Sequence, residues 1–346
     1  MRNLLLLALL CLIAATGYAQ NKKKIDPDAG YLPTVAPEDK KKKKAEETQV
    51  LALPPELPAA VTAQTNRLAF QVTPLSAKGL LSQQTRDALK GLLRSNRGTI
   101  VKLRAFVAGS GDLRRVAEIA GEMFQEKHQA LPALSAVQVG ALPLEGAQVE
   151  IEATEVDRKV VNPNGVVFIA AQPAASVGES LSKLKMLASD ALAVTCFASS
   201  FDSQRDTATA MSAAFPGAAL DYVQMQRAPV TPAASCEAVA RAVKPGGPSE
   251  IVITGTQLAF GSQDNDLKLA LGRLDKALAV KGASLNHAVL ANLYVTSTSL
   301  SDRVLALAPS AAARSVLPVE ALPSLDSSFA LDVIAESDSS FAHSRP

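Results

Sequence analysis

The chain contains three copies of one short pattern, in which an alanine, a variable residue and an apolar-alternating run are followed by a proline. The copies are residues 133–143, 219–229 and 313–323, with Leu134, Leu220 and Arg314 as their variable residues. These variable residues lie 86 and 94 positions apart along the chain. Self-similarity at a nearly constant period of this length is typical of tandem copies of one small domain. The repeat therefore constrains the architecture before any chemistry is considered.

Each copy shows the same order of predicted elements, namely strand, helix, strand, helix, strand, strand. The patterns predict, for example, helices over 82–95 and 179–188 and a strand over 133–139. The predicted domains are residues 61–156, 157–243 and 248–337, with the turn-forming stretch 244–248 before the last. A sheet with two helices on one face leaves its other face bare, and three such sheets can bury these faces around a common axis. We therefore predict an α+β chain of three domains, each a mixed sheet with two helices on one face. Together they would form an intramolecular pseudo-trimer and leave the chain a monomer.

The two ends of the chain are predicted to lie outside these domains. Residues 1–19 resemble a secretory signal peptide, with one arginine, a short apolar run and small residues before the expected cleavage site. The run is shorter than the ~20 apolar residues of a membrane span, so we expect no stable membrane insertion and a periplasmic or secreted protein. Residues 20–60, rich in Lys, Pro and Glu, are predicted to be a disordered tether, and residues 338–346 a frayed tail. The lysine run 40–44 is interpreted as a solvated linker rather than a patch for anionic surfaces, because acidic residues nearly balance it.

The composition argues against several kinds of partner and site. A formal net charge of +2 gives no field to recruit nucleic acid, so no nucleic-acid partner is expected. The three histidines are scattered singly, without a second ligand at metal-binding spacing, so no metal site is predicted.

Two cysteines would remain after removal of the signal peptide. Cys196 and Cys236 lie on two different predicted strands of the second domain. In an oxidising compartment such a pair can form a disulfide, but the sequence does not establish the Cα separation that a bond requires. A disulfide and two buried thiols both remain open.

The third copy resembles a known family. Its pattern Ala-Arg-Ser-x-x-x-Val-x-x-Leu-Pro over residues 313–323, followed by a closing strand, is similar to the RidA (YjgF, reactive intermediate deaminase) family. Residues 253–257, 280–285 and 133–152 also fit that pattern, and the second copy fits it less well. The resemblance implies a chorismate mutase-like fold, assembly as a trimer and no cofactor. It also implies a cleft between subunits where the motif arginine holds the carboxylate of a 2-imino or 2-enamino acid while water releases ammonia.

Only part of that chemistry is present in this sequence. A planar guanidinium binds a carboxylate through two parallel hydrogen bonds, so Arg314 keeps the binding role and Leu134 and Leu220 lose it. The family's glutamate on the last strand corresponds to Glu150, Ser235 and Ala330. Two residues further along, the same strand face carries Glu152, Glu237 and Asp332. Asp332 could replace the missing acid beside Arg314, while Glu150 lies in a copy without the arginine. The family's helix-borne asparagine is also absent, its place being near Ala117 and Ala208.

These residues favour binding over catalysis. We expect an exported, largely degenerate RidA-like protein that binds a small carboxylate or imine at one inter-domain cleft around Arg314 without robust turnover. One alternative is a 2-imino or 2-enamino acid deaminase with this single site, and another is a purely structural scaffold. A ribonuclease activity is disfavoured by export and by the lack of an aromatic-basic surface. The candidate catalytic residues are Arg314, Asp332 and Glu150.

Overall fold

The computed structural model describes residues 53–109, 111–226, 234–310 and 313–337, without the side chains of 202–205. The predicted signal peptide, most of the predicted tether and the predicted tail lie outside the described residues. Within them, no helix is long and apolar enough to cross a membrane.

Six helices and fourteen strands are described. The helices are α1 Leu81–Ser95, α2 Leu113–Glu126, α3 Val177–Lys183, α4 Phe201–Ala214, α5 Asp264–Ala279 and α6 Ser301–Leu307. The first nine strands are β1 Ala60–Gln64, β2 Leu68–Val72, β3 Gly98–Ala108, β4 Ala133–Val139, β5 Val149–Asp157, β6 Val166–Pro173, β7 Ala191–Ala198, β8 Ala219–Gln224 and β9 Ala234–Arg241. The last five are β10 Glu250–Thr254, β11 Gln257–Phe260, β12 Ala288–Val295, β13 Ala313–Pro318 and β14 Ser327–Glu336.

The strands form three sheets with one recurring order. Two sheets run β2-β5-β3-β4 and β6-β9-β7-β8, and the third runs β1-β10-β14-β12-β13 with β11 also pairing with β14. In each sheet the last two strands are parallel, as β3 is to β4, and the remaining pairs are antiparallel. The predicted mixed α+β class is therefore confirmed.

Local chemistry accounts for several element boundaries. Helix α2 begins after Asp112, whose side chain accepts a hydrogen bond from the backbone of Arg114 at 3.0 Å and so satisfies a free N–H of the first turn. Helix α5 begins at Asp264, and the carboxylate of Asp266 in its first turn accepts a hydrogen bond from the backbone N–H of Gln263 at 2.9 Å. Helix α3 ends at Lys183, well before the predicted end of the helix at residue 188, because Lys185 takes a left-handed backbone with φ 59°.

Strand β1 belongs to a sheet that its position in the chain does not suggest. It falls almost entirely within the predicted first domain, 61–156, yet it pairs antiparallel with β10, with Ala60 opposite Thr254 and Gln64 opposite Glu250. The beginning of the described chain is thus hydrogen-bonded to the third sheet.

Each sheet buries both of its faces. One face packs against helices, as where Leu103 of β3 meets Leu89 of α1 and Ile119 of α2. The opposite faces of all three sheets meet in one apolar cluster, which includes the following six side chains. They are Phe106 and Val137 of the first sheet, Phe197 and Val223 of the second, and Tyr294 and Leu317 of the third. Burying a large apolar side chain contributes about 2–3 kcal/mol, so this shared cluster stabilises the contact between the sheets strongly.

Cys196 and Cys236 are joined by a disulfide. They lie directly opposite each other on the neighbouring strands β7 and β9, with a Cα separation of 4.1 Å. Both are buried in the core of the second sheet and its helices.

Candidate functional site

Strands β3, β7 and β12 each carry a polar side chain at an equivalent inward-facing position. Residues paired directly across neighbouring strands share a sheet face, so each of these positions brings two partners with it. The three groups are Arg104 with Ser135 and Glu152, Thr195 with Asp221 and Glu237, and Asn292 with Ser315 and Asp332. All nine are buried except the half-buried Glu152. We call these nine residues, together with the buried Lys102, the polar layer.

Contacts of the polar layer, one of them with the adjacent residue Glu150, connect the sheets in a ring. Ser135 of the first sheet donates a hydrogen bond to Asp332 of the third. Ser315 of the third sheet donates to Glu237 of the second at 3.1 Å. Asp221 of the second sheet lies beside Glu150 of the first, close enough for each carboxyl to perturb the other. Ser135 of β4, Asp221 of β8 and Ser315 of β13 occupy equivalent positions. Each of them therefore contacts an acidic residue of a different sheet.

Arg104 connects the first and second sheets. Its guanidinium is 2.6 Å from Glu152 and 2.5 Å from Glu237, and it also donates to the hydroxyl of Thr195 at 3.0 Å. Burial alone would lower the pKa of Arg104, but the two carboxylates raise it well above its ordinary value. Because a buried charge is tolerated only when it is paired and hydrogen-bonded, Arg104 and its two acids form one unit.

Lys102 connects the first and third sheets. Its ammonium donates to Ser135 and to the carbonyl of Thr254, each at 2.6 Å, and lies 3.4 Å from Asp332. Burial lowers the pKa of Lys102. Burial would raise the pKa of Asp332, but the nearby Lys102 and the hydrogen bond from Ser135 hold it below its ordinary value. Asp332 is thus an ionised acceptor held inside the fold.

Glu150 and Asp221 form a second kind of acidic contact. Glu150 and Asp221 lie within hydrogen-bonding reach of each other, and no other described residue donates to Glu150 Oε2 or to either carboxylate oxygen of Asp221. Burial raises the pKa of Glu150 to about 7, and burial together with the charge of Glu150 raises the pKa of Asp221 well above its ordinary value. Because two adjacent buried carboxyls repel each other when both are ionised, the contact favours the protonated form of one of them.

Arg314 and Asp332 lie on opposite faces of the third sheet. Arg314 of β13 is paired with Ala291 of β12, whereas Asp332 of β14 is paired with the next residue, Asn292. Successive residues of a strand point to opposite faces. Arg314 is half-buried and its Nη1 donates to the carbonyl of Leu305 in α6 at 3.1 Å, on the helix-covered face.

The structure does not bring the three predicted catalytic residues together. Asp332 accepts hydrogen bonds from Asn292 of the polar layer and from the hydroxyl of Tyr294, each at 3.0 Å, rather than from Arg314. Glu150 lies in the first sheet beside Asp221.

The two leucines at the arginine position lie in apolar surroundings. Leu134 packs against the core of the first sheet, and its carbonyl accepts from the backbone of Thr256 at 3.0 Å. A Cβ at Gly255 would come within 2.9 Å of that carbonyl, so the third sheet approaches Leu134 closely. Leu220 packs in the core of the second sheet.

The sequence interpretation missed the charged residues Lys102 and Arg104, which occupy alternate positions in β3. The other residues of the segment 100–108 of that strand are apolar. Two charges at a spacing of two, inside a segment whose other positions are apolar, indicate that one sheet face carries buried cations and needs acids opposite. Among the described residues, no group of side chains is arranged to hold a metal ion.

One part of the chain is similar to a known protein family. Residues 60–157 match a protein-family model described as Endoribonuclease L-PSP. The match supports the predicted resemblance to the RidA/YjgF family over this segment, which covers the first predicted domain. No curated protein matches the chain.

Several solved structures are similar to about a quarter of the chain. Rv2704, a member of the YjgF/YER057c/UK114 family from Mycobacterium tuberculosis, is 24% identical over 26% of this chain and 80% of its own, with a TM-score of 0.23. Yeast Mmf1 is 20% identical over 25% of this chain and 80% of its own, with a TM-score of 0.24. TdcF from E. coli, solved with bound serine, is 22% identical over 29% of this chain and 93% of its own, with a TM-score of 0.23.

Proposed function

We propose that this chain is an exported, single-chain pseudo-trimer of three RidA-like domains, 61–156, 157–243 and 248–337. It would bind a small carboxylate at Arg314 without robust catalysis. The recurring strand order of the three sheets supports the three-domain architecture. So do the shared apolar cluster and the ring of polar contacts, in which equivalent residues of the three sheets meet one another.

One observation supports the proposal that the chain has no robust catalytic turnover. Arg314 and Asp332 lie on opposite faces of their sheet. Hydrolysis of an imine needs a positioned group that moves protons within hydrogen-bond reach of the bound substrate. Asp332 is committed to the polar layer, and the position that would carry the family's glutamate is Ala330. A carboxylate held by Arg314 would therefore have neither acid beside it.

Carboxylate binding is supported by the side chain itself. The guanidinium of Arg314 is half-buried, and the hydrogen bond to Leu305 fixes its direction along the helix-covered face. A preoriented guanidinium loses less entropy when it binds an anion and can offer two parallel N–H groups. Leu134 and Leu220 offer no such group, so we propose one carboxylate per chain.

The first experiment separates binding from catalysis. The purified chain is mixed with an imine generated in place from an amino acid, and ammonia release is measured alongside calorimetric binding of 2-oxobutyrate. We expect ammonia release at the uncatalysed rate, one bound 2-oxobutyrate per chain, and loss of that binding in Arg314→Ala. Arg303→Ala, which removes another arginine of the third domain that pairs with Asp264 at 2.8 Å, is the matched control and should bind normally.

Three outcomes would change the proposal. Accelerated ammonia release that Arg314→Ala abolishes would identify a deaminase. Failure to bind any small carboxylate would leave only a scaffold. A solution mass of a trimer of chains, measured by light scattering, would contradict the intramolecular assembly.

A further inference from the structure

A cavity of about 90 Å³ lies against the polar layer. Its polar wall includes Glu152, Glu237 and Asn292, and its apolar wall includes Phe70, Phe168 and Ile334. A cavity needs at least roughly 15 Å³ to hold one water molecule, so this cavity has room for several waters or a small ligand. Its walls come from all three sheets, and none of its lining residues is Arg314.

The ionisable groups of the cavity wall do not balance. Arg104 is shared between two carboxylates, Glu152 and Glu237, while Lys102 faces Asp332. The wall therefore holds three acidic side chains against two basic ones. Both cations are already engaged with carboxylates, so the wall offers an anionic ligand no unpaired cation.

The side-chain amide of Asn292 gives independent evidence for a ligand site in this cavity. It is only 6% exposed, its Nδ2 donates to Asp332 at 3.0 Å, and its Oδ1 has no hydrogen-bond partner among the described residues. Turning the amide over would place its oxygen against the Asp332 carboxylate, so Asp332 determines the orientation. A buried acceptor with no donor is costly, and a bound donor would relieve that cost.

We propose that this cavity binds a small organic ammonium ion. Its N–H groups would donate to Asn292 Oδ1 and to the carboxylates of Glu152 and Glu237, and its alkyl part would lie between Phe70 and Phe168. The ammonium supplies both features that the wall lacks, a donor for the amide oxygen and one positive charge. This site is separate from Arg314 and does not depend on carboxylate binding there.

The probe for the test is n-butylammonium, an amine that is fully charged at pH 7 because its pKa resembles that of lysine. Binding to the full chain is followed by saturation-transfer NMR and calorimetry, with 1-butanol and butyrate as comparison ligands of the same length. We expect saturable binding of one butylammonium per chain, at least about tenfold weaker binding of 1-butanol, and no displacement of butylammonium by butyrate. Absence of butylammonium binding, or equal binding of 1-butanol, overturns the proposal.

Two substitutions locate the site. Asn292→Leu removes the acceptor at similar volume and should weaken butylammonium binding by about tenfold or more. Ala193→Leu fills the cavity from its lining while leaving every charge in place, and should abolish binding with the melting temperature retained. Arg314→Ala, which lies on another face, should bind butylammonium as the unsubstituted chain does. If Asn292→Leu does not fold, Ala193→Leu decides alone, and unchanged binding in that variant refutes the site.

Discussion

The hydroxyl of Ser135 donates a hydrogen bond to Asp332, a residue 197 positions further along the chain. The same hydroxyl accepts from Lys102, so one small side chain links a buried cation to a buried anion. Equivalent contacts recur at Ser315 with Glu237. Polar side chains that meet across sheets in this way hold the relative positions of the sheets, whereas the apolar cluster beside them supplies most of the attraction.

Ser135→Ala should destabilise the fold by about 1–3 kcal/mol, because it leaves Lys102 and Asp332 each short of one buried hydrogen bond. Urea unfolding followed by circular dichroism measures the change. The matched control is Ser182→Ala on the surface of α3, where the lost bond to Gly178 is exposed and the change should stay within about 0.5 kcal/mol. Equal changes in the free energy of unfolding would mean that the buried hydrogen bonds of Ser135 stabilise the fold no more than the exposed bond of Ser182 does.

Replacing Arg104 tests whether it and its acids act as a unit. Arg104→Met should cost about 3–5 kcal/mol, because Glu152 and Glu237 lose their buried counter-charge. Adding Glu237→Gln to that variant should recover part of the loss, although Glu237→Gln alone destabilises. A double-substitution cycle by denaturant unfolding gives the coupling free energy, and strict additivity would contradict the unit. Arg303→Met at an exposed ion pair should change stability by about 1 kcal/mol or less.

Stability should fall between about pH 5 and pH 8 because of Glu150. Burial raises its pKa in the folded chain to about 7, above its ordinary value of 4.5. When folding raises the pKa of a group, the stabilisation from that group is fully present below the unfolded pKa. This stabilisation is lost as the pH rises through the folded pKa. The loss is at most about 3 kcal/mol by the usual conversion of pKa shifts. Asp221, whose pKa burial also raises, acts in the same direction.

Glu150→Gln provides the control for this pH profile. An amide stays neutral, so the free energy of unfolding should depend less on pH over the same interval than it does in the unsubstituted chain. Urea unfolding at unit steps of pH measures both profiles. Two parallel profiles would mean that the pH dependence arises elsewhere.

The disulfide between Cys196 and Cys236 closes a segment with a sequence separation of 40. A cross-link of this span restricts the unfolded chain and contributes about 4 kcal/mol in the loop-entropy model. The double variant Cys196→Ala/Cys236→Ala should therefore have a lower melting temperature, measured by calorimetry. Treating the unsubstituted chain with a reductant should lower its melting temperature as well. Reductant should have no further effect on the double variant, and a response there would point to a different cause.

Local patterns predicted the elements well because alternation and helical periodicity depend on near neighbours. The strand predicted at 133–139 is β4 as observed, and the predicted helix 82–95 differs from α1 by one residue. The left-handed turn at Lys185 has no comparable sequence signal, since lysine does not favour that backbone, and α3 was therefore predicted too long.

The candidate site was harder to predict because it depends on contacts between distant segments. The motif predicted Arg314 and Asp332 on the last two strands of the chain, but β12 lies between these strands in the sheet. The faces of the two residues follow from the register with β12, which a slip of one residue would reverse. The charges of Lys102 and Arg104 were visible in the sequence, whereas their acids come from three sheets and could not be matched to them.

Strand β1 offers a last test, because it covers an edge that would otherwise be open. Without it, β10 would present unpaired backbone groups between Glu250 and Thr254 to other molecules. A chain beginning at Thr65 should therefore associate or aggregate, as measured by light scattering, and lose stability in the third sheet. A chain beginning at Ala60 also lacks residues 1–59 but keeps β1, so its light scattering should match that of the full chain. Identical behaviour of the two chains would show that pairing with β10 does not protect this edge.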